Sequence, residues 1–259
     1  MNTAQIKEME EISEKYLDLA YKYNRFDYVG IFLSQKGIAK HIKGYSLDAI
    51  KYFNDSVMYL EKGEKAQETS GPINSIGLIY LEYFQDIKTA RKYFEKALSI
   101  AQLYHRVEDM VRAYSNIADS YMMDGEYELA VNVLNKNISL SIEYEDEIVR
   151  FLSYVKLVEC YIYLEEYKKA YSSLLKAQRE VFNYPIQSVY NERFLEVSII
   201  FYNAMGCYEK VIELVDGIHE NFKGLNFRIK QRLRLIKFFA KKNSDIFVSD
   251  DELMEILNN

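Results

Sequence analysis

RAYSNIADSYMMDGEYELAVNVLNKNISLS, residues 112–141, carries two helical stripes broken by a single glycine. Ile117, Ala118 and Tyr121 share one helical face, and Gly125 interrupts the pattern. Tyr127, Ala130, Leu134 and Ile138 then resume it at spacings of three and four. Such a stretch reads as two antiparallel helices. The small Ala130 marks their crossing, where a long side chain would force the helices apart, and Leu134 one turn on supplies the interlocking ridge.

The pattern recurs along the chain. Ala49, Ala90, Ala130, Ala170 and Val211 stand 41, 40, 40 and 41 residues apart, and each is followed four positions on by Phe53, Phe94, Leu134, Leu174 or Val215. Position plus seven is small or apolar in four copies, as Ser56, Ala97, Ala177 and Ile218. Tyr45, Ile87, Tyr127, Tyr167 and Tyr208 precede the anchors by three or four. An extra residue in the turn before Ala90 accounts for the first 41. A repeated unit of this length cannot bury its apolar stripe alone, so the copies must stack, and a stacked array is first of all a binding scaffold.

The first helices add an apolar or small pair followed by tyrosine: Ile76, Gly77 and Tyr80; Ile117, Ala118 and Tyr121; Leu157, Val158 and Tyr161. With Gly125, Tyr127, Ala130, Leu134 and their equivalents, this signature resembles the tetratricopeptide repeat, whose usual period is about 34 residues. Similar long repeats occur in receptors for bacterial peptide pheromones and in sensory regions of bacterial signalling proteins. The resemblance implies an all-α fold, a right-handed superhelical solenoid of antiparallel helix hairpins with about five repeats plus capping helices. A single domain is expected over residues 1–259, with a capping helix at 1–25, repeats at 28–222, and a basic helix and cap at 225–259. Ile6, Met9, Ile12, Tyr16, Leu19 and Tyr23 form the apolar side of the first capping helix. Leu225, Ile229, Leu233, Ile236 and Phe239 do the same for the last long one, and a short helix is expected over 249–258.

Composition narrows the function. A formal charge of −6 argues against general affinity for nucleic acid or anionic lipid, and no uninterrupted apolar run is long enough to span a bilayer. A cytoplasmic location with free Cys160 and Cys207 is the simplest expectation. His41, His105 and His219 lack ligand spacing, and neither a nucleophile elbow nor a phosphate-binding glycine loop occurs. No metal, cofactor or catalytic residue is therefore expected. Glu165, Glu166 and the acidic stretch 143–147 fall in turns or helix starts, where carboxylates complement the helix dipole.

The resemblance also implies where a ligand would lie, because first helices line the concave face of such arrays. It selects Asn74 in the second copy, Arg112, Ser115, Asn116 and Asp119 in the third, Lys156 and Glu159 in the fourth, and Arg193, Glu196 and Asn203 in the fifth. Asparagine can pair with any peptide backbone, and arginine can hold a carboxylate. The competing reading is mutual pairing on a solvated face, for example Arg112 with Asp119. Ser115, Asp119 and Glu159 stand where related clamps for acidic C-terminal tails place basic or amide groups, so tails of that kind should be repelled. Lys223, Arg228, Lys230, Arg232, Arg234, Lys237, Lys241 and Lys242 form a basic segment without an intervening acid. It suits a capping helix or docking on an acidic partner, including a second copy in a homodimer. The expected function is a non-catalytic regulatory adaptor that binds a peptide or protein segment in bacterial signalling. The alternative is a sensory or docking module of a larger signalling protein, such as a cyclic-dinucleotide synthase, a histidine kinase or a transcription regulator.

Overall fold

The computed structural model describes residues 3–183, 188–221, 227–244, 246, 248, 249, 253, 254 and 256, without the side chains of 3–6, 9–10, 182–183, 188–189, 218–221 and 227–229. Among the described residues the chain forms twelve α-helices and no strand. They are α1 (Thr3–Lys22), α2 (Phe26–Ile42), α3 (Ser46–Lys62), α4 (Ser70–Glu82), α5 (Ile87–Leu103) and α6 (Val107–Met123). There follow α7 (Tyr127–Glu143), α8 (Glu147–Tyr163), α9 (Tyr167–Asn183), α10 (Ser188–Ala204), α11 (Tyr208–Asn221) and α12 (Phe227–Asn243). The five sequence anchors fall on α3, α5, α7, α9 and α11, the second helices of five hairpins. The first helices are α2, α4, α6, α8 and α10.

The forty-residue period resolves into two equal halves. Helices such as α2, α3, α6 and α8 are 17 residues long, and a three-residue turn follows each. The middle residue of the turn takes the left-handed conformation: Asn24, Gly44, Glu64, Gln85, His105, Gly125, Glu145, Glu165 and Gly206 all have positive φ. The next amide then reaches back five residues to close the helix, as in Tyr45 N to Lys40 O (2.9 Å), Lys65 N to Leu60 O (2.8 Å) and Glu166 N to Tyr161 O (2.8 Å). At Gln85 the reach is six residues, Asp86 N to Tyr80 O (3.0 Å), which is the extra turn residue behind the first spacing of 41. The second copy differs again at its start, where a 3-10 turn, Ala66–Thr69, precedes a shortened α4.

Contacts divide the chain into two compact units, Met1–Leu140 and Ser141–Asn259. In the first, Ala49, Phe53, Ile76 and Ile79 pack together, and Ala90 and Phe94 pack with Leu81 and Ile117. Phe53 and Phe94 are fully buried, each contributing about 1.5–3 kcal/mol of hydrophobic stabilisation. Both rings rest on glycine: a Cβ on Gly37 would lie 2.7 Å from the Phe53 ring, and one on Gly77 2.6 Å from that of Phe94. Small residues therefore sit on both helices of these hairpins. Arg91 of α5 pins the turn between α6 and α7 through Ser120 O (3.0 Å), Asp124 (3.0 Å) and Glu126 (2.9 Å).

In the second unit, Phe151, Val155, Val158, Ala170, Leu174, Ala177, Val197 and Phe201 form one cluster. Ile199, Val211, Val215, Leu233 and Ala240 form another, seating α12 on α10 and α11. Arg150 clamps α8 to α9 by a two-pronged pair with Glu180 (2.7 and 2.8 Å), and the Asp146 carboxylate caps α8 by accepting from Val149 N (2.9 Å).

The first capping helix departs from the expected orientation, and the last does so only at its end. On α1 the residues turned toward α2 are Ser13, Leu17 and Ala20, with Ser13 Oγ donating to Gln35 (3.0 Å). Ile12, Tyr16, Leu19 and Tyr23, expected to seal the first hairpin, are exposed. Ala20 and Ser13 are small enough for a close crossing, whereas the bulkier stripe is not. On α12, Leu233 is buried and Ile236 packs on the same cluster, as expected, while Phe238 and Ala240 are buried and Phe239 is half exposed. Ile6, Met9, Ile218, Leu225, Ile229, His219, Lys223 and Arg228 lie outside the described side chains. Of the short helix expected over 249–258, Ser249, Leu253, Met254 and Ile256 are described, and the last three are helical.

Candidate protein-binding face

In the first unit, the first helices bring an amide pair and a charge cluster together. Asn116 of α6 donates through Nδ2 to Asn74 Oδ1 of α4 (2.9 Å). Asn74 is buried and Asn116 half-buried, so the pair ties adjacent first helices at the edge of the solvent. Two turns earlier, Asp109 accepts from Ser70 Oγ (2.6 Å), Arg106 Nε (2.7 Å) and Arg112 Nη1 (3.0 Å), and Arg106 also donates to Glu68 (2.8 Å). Burial pushes the Asp109 carboxyl upward, but the Ser70 hydroxyl and the two guanidinium groups outweigh it and hold it below the ordinary carboxylate range. Arg112 thus pairs with Asp109 of its own helix rather than with Asp119, because i to i+3 spacing puts both on one face. Its side chain remains exposed. A cleft of about 260 Å³ opens beside it, lined by Ile31 and Gln35 of α2, Pro72 of α4, and Arg106, Asp109 and Arg112.

Not every expected residue joins this face. Ser115 is the hydrogen-bond partner of Asn137 on α7 (3.4 Å) and so lies toward its own hairpin. Asp119 is half-buried and has interactions of its own. The third copy alone has Asn137 at plus seven, fully buried, and its Oδ1 lacks a hydrogen-bond partner among the described residues. Glu68, Ser70, Arg106 and Asp109 escaped the sequence reading because charged and hydroxyl groups at helix starts read as caps. The available signal was the Arg106-to-Asp109 spacing at the first turn of α6.

The second unit arranges its candidates as a ladder. Arg193 of α10 bridges Glu159 of α8 (2.8 Å) and Glu196 (2.6 Å), and Glu196 accepts from Arg232 of α12 (2.9 Å). Glu196 is buried between the two guanidinium groups. Burial pushes the Glu159 carboxyl above its ordinary value and Glu196 adds to this, while Arg193 opposes it. Lys156 is half-buried on the same helix, and Asn203 is exposed near the end of α10. Lys237 pairs with Asp216, so with Arg232 two cations of the basic helix already meet acids inside the unit.

Among the described residues, no group of three or more acidic, histidine or cysteine side chains could hold a metal ion, and no helix is long and apolar enough to cross a membrane. Neither a protein-family model nor a curated protein matches the chain. Solved structures do. The apo form of RapI superposes with a TM-score of 0.72 at 18% identity, covering 98% of this chain and 71% of that one. BtubC (BKLC) from P. vanneervenii gives 0.73 at 16% identity over 86% of this chain and 92% of that one. A Rap protein complexed with Competence and Sporulation Factor gives 0.68 at 19% identity over 90% and 63%. At these identities the likeness carries the fold alone: the chain is an α-solenoid of tetratricopeptide-like hairpins, the architecture of a repeat-based interaction module.

Proposed function

We propose that the chain is a non-catalytic regulatory adaptor that binds a peptide or protein segment along the first-helix face of its first unit. The observation that carries this reading is the Asn74–Asn116 amide pair beside the exposed Arg112 and the cleft it lines. An amide bridge of this kind presents an acceptor to a backbone N–H irrespective of sequence, and Arg112 offers a guanidinium to a carboxylate. The likeness to a Rap protein complexed with Competence and Sporulation Factor supports a peptide or small protein as the occupant. The ladder of the second unit serves to lock α8, α10 and α12, since its charges satisfy one another.

Replacing Arg112 and Asn116 together by alanine should abolish capture of partners from a host extract, read by quantitative mass spectrometry, while circular dichroism stays unchanged. Undiminished capture would place binding elsewhere. A second reading, a sensory module of a larger signalling protein, draws on the likeness to a STAND ATPase with a tetratricopeptide repeat sensor from Pyrococcus horikoshii. That match covers 96% of this chain and 39% of that one at 17% identity and a TM-score of 0.70.

A further inference from the structure

An apolar surface unrelated to the proposed binding face lies on α1 and α2. Ile12, Tyr16 and Leu19 of α1, Tyr23 and Arg25 of the turn that follows, and Tyr28 and Phe32 of α2 line a cavity of about 430 Å³. Tyr16, Leu19, Tyr23 and Tyr28 are 44, 41, 67 and 44% exposed, and the Tyr16 and Phe32 rings stack at 5.8 Å. Contiguous apolar surface that is rimmed by polar groups marks an interaction site, and here Lys15, Lys22 and Arg25 rim the Tyr16, Tyr23 and Tyr28 rings.

The repeat itself identifies the shape that fits. Asn24 ends α1 and Glu64 ends α3, both in the left-handed conformation and forty residues apart, so α1 stands in the register of a second helix. Tyr16 therefore corresponds to Ser56, and Tyr23 to Gly63. In α3 those positions are covered by the first helix α2: Ser56 Oγ donates to Gly30 O (2.7 Å), and a Cβ on Gly63 would lie 2.2 Å from Asp27 N. On α2, Tyr28 stands four residues past its turn residue, as Asp109 does on α6, and Asp109 is covered by Ser70 of the preceding first helix (2.6 Å). The cavity thus has the place of a first helix packed on α1 and α2, and its occupant must run antiparallel to α1.

We infer that this slot is filled by α1 of a second copy, so that α1 and α2 form a twofold homodimer interface. A twofold axis across α1 makes the two α1 helices antiparallel, as the slot requires, and the two copies of α1 and α2 then close a four-helix bundle without free ends. The same stripe that lines the slot is the stripe that needs covering. Centring the crossing between Lys15 and Tyr16 sets Ile12 against Leu19, and brings Glu8 of one copy beside Lys22 of the other, twice by symmetry. Glu8 and Lys22 are both exposed. Tyr16 and Tyr23, standing where a hairpin uses serine and glycine, hold the partner helix farther off than α2 lies from α3.

Sedimentation equilibrium of the full chain tests this. The wild type should be a dimer at micromolar concentration. Tyr16→Glu, which replaces the stacked ring at the centre of the slot by a carboxylate that must be desolvated, should raise the dimer Kd by at least about 100-fold. Tyr83→Glu, at a somewhat more exposed tyrosine after α4, should leave Kd unchanged. Glu8→Lys and Lys22→Glu should each weaken the dimer about three- to ten-fold and restore it when combined, which decides the matter even if Tyr16→Glu misfolds. A wild type that stays monomeric at about 100 μM, well above the affinities of specific dimers, overturns the inference. So does a dimer that survives Tyr16→Glu or dissociates instead on Phe239→Glu in α12, or a charge swap that fails to restore association.

Discussion

The first-helix faces of the two units use similar residues to opposite ends. In the first unit, Asp109 gathers Ser70, Arg106 and Arg112 on one side, yet about half of the Arg112 side chain stays in solvent and Asn116 is only half-buried. In the second, Glu159, Arg193, Glu196 and Arg232 alternate in sign and answer one another across three helices. Arg232 is as exposed there as Arg112 is in the first unit, but turning a guanidinium of the ladder outward would leave the buried Glu196 short of a partner, whereas Asp109 would keep Ser70 and Arg106. The cluster in the first unit anchors on one buried carboxylate and keeps its outer groups available. On the proposed reading, the two faces differ in what the central carboxylate keeps when one cation turns toward a ligand.

The largest effect should come from breaking the ladder. Glu196→Ala removes the shared acceptor of Arg193 and Arg232, both of which reach solvent, so the loss should be about 1–3 kcal/mol rather than that of a fully buried pair. Urea unfolding should show that loss, while partner capture through the first unit persists. Loss of capture without destabilisation would reverse the roles assigned to the two faces.

A smaller effect, and a symmetrical one, is expected at the turns. Glu64 in the first unit and Glu165 in the second hold φ of 58° and 59°, where a side chain is strained. Glu64→Gly and Glu165→Gly should each raise stability by about 0.5–1 kcal/mol, equally in both units, as read from thermal melts. A gain in one unit only would mean that the two do not share one turn geometry.

The smallest effect is in pH dependence, and its sign separates the units. Burial raises the folded pKa of Glu159, so its contribution is fully present below the ordinary carboxylate value and is lost as pH rises through the raised one. Asp109 is held low, so its contribution is present above the ordinary value and is lost as pH falls through the lowered one. Between neutrality and the ordinary carboxylate range, wild type should therefore gain stability on acidification relative to Glu159→Gln. Parallel melting curves over that window would remove the burial argument for Glu159.

The hairpins were legible in the sequence because stacking demands the same small and bulky residues at every crossing, from Ala49 and Phe53 to Val211 and Val215. The turns were half legible. Gly44, Gly125 and Gly206 announce the left-handed residue, but Asn24, Glu64, Gln85, His105, Glu145 and Glu165 adopt it without glycine, enforced by the helices on either side. The stripe of α1 misled because amphipathic spacing shows that a helix has an apolar side and not which neighbour covers it. Among the site residues, Asn74 and Asn116 could be placed by register. Their hydrogen bond could not, nor could Asp109 at the centre of the charge cluster, since side-chain pairing between helices depends on crossing geometry that no linear spacing records.

The most direct measurement places a photo-crosslinking amino acid at position 112 or at position 203, both exposed on first helices, one in each unit. After irradiation in the native host, position 112 should yield a defined adduct with a peptide or protein, lost when Asn116→Ala is added, and position 203 should yield none. An adduct at 203 with none at 112 would contradict binding at the first-helix face of the first unit.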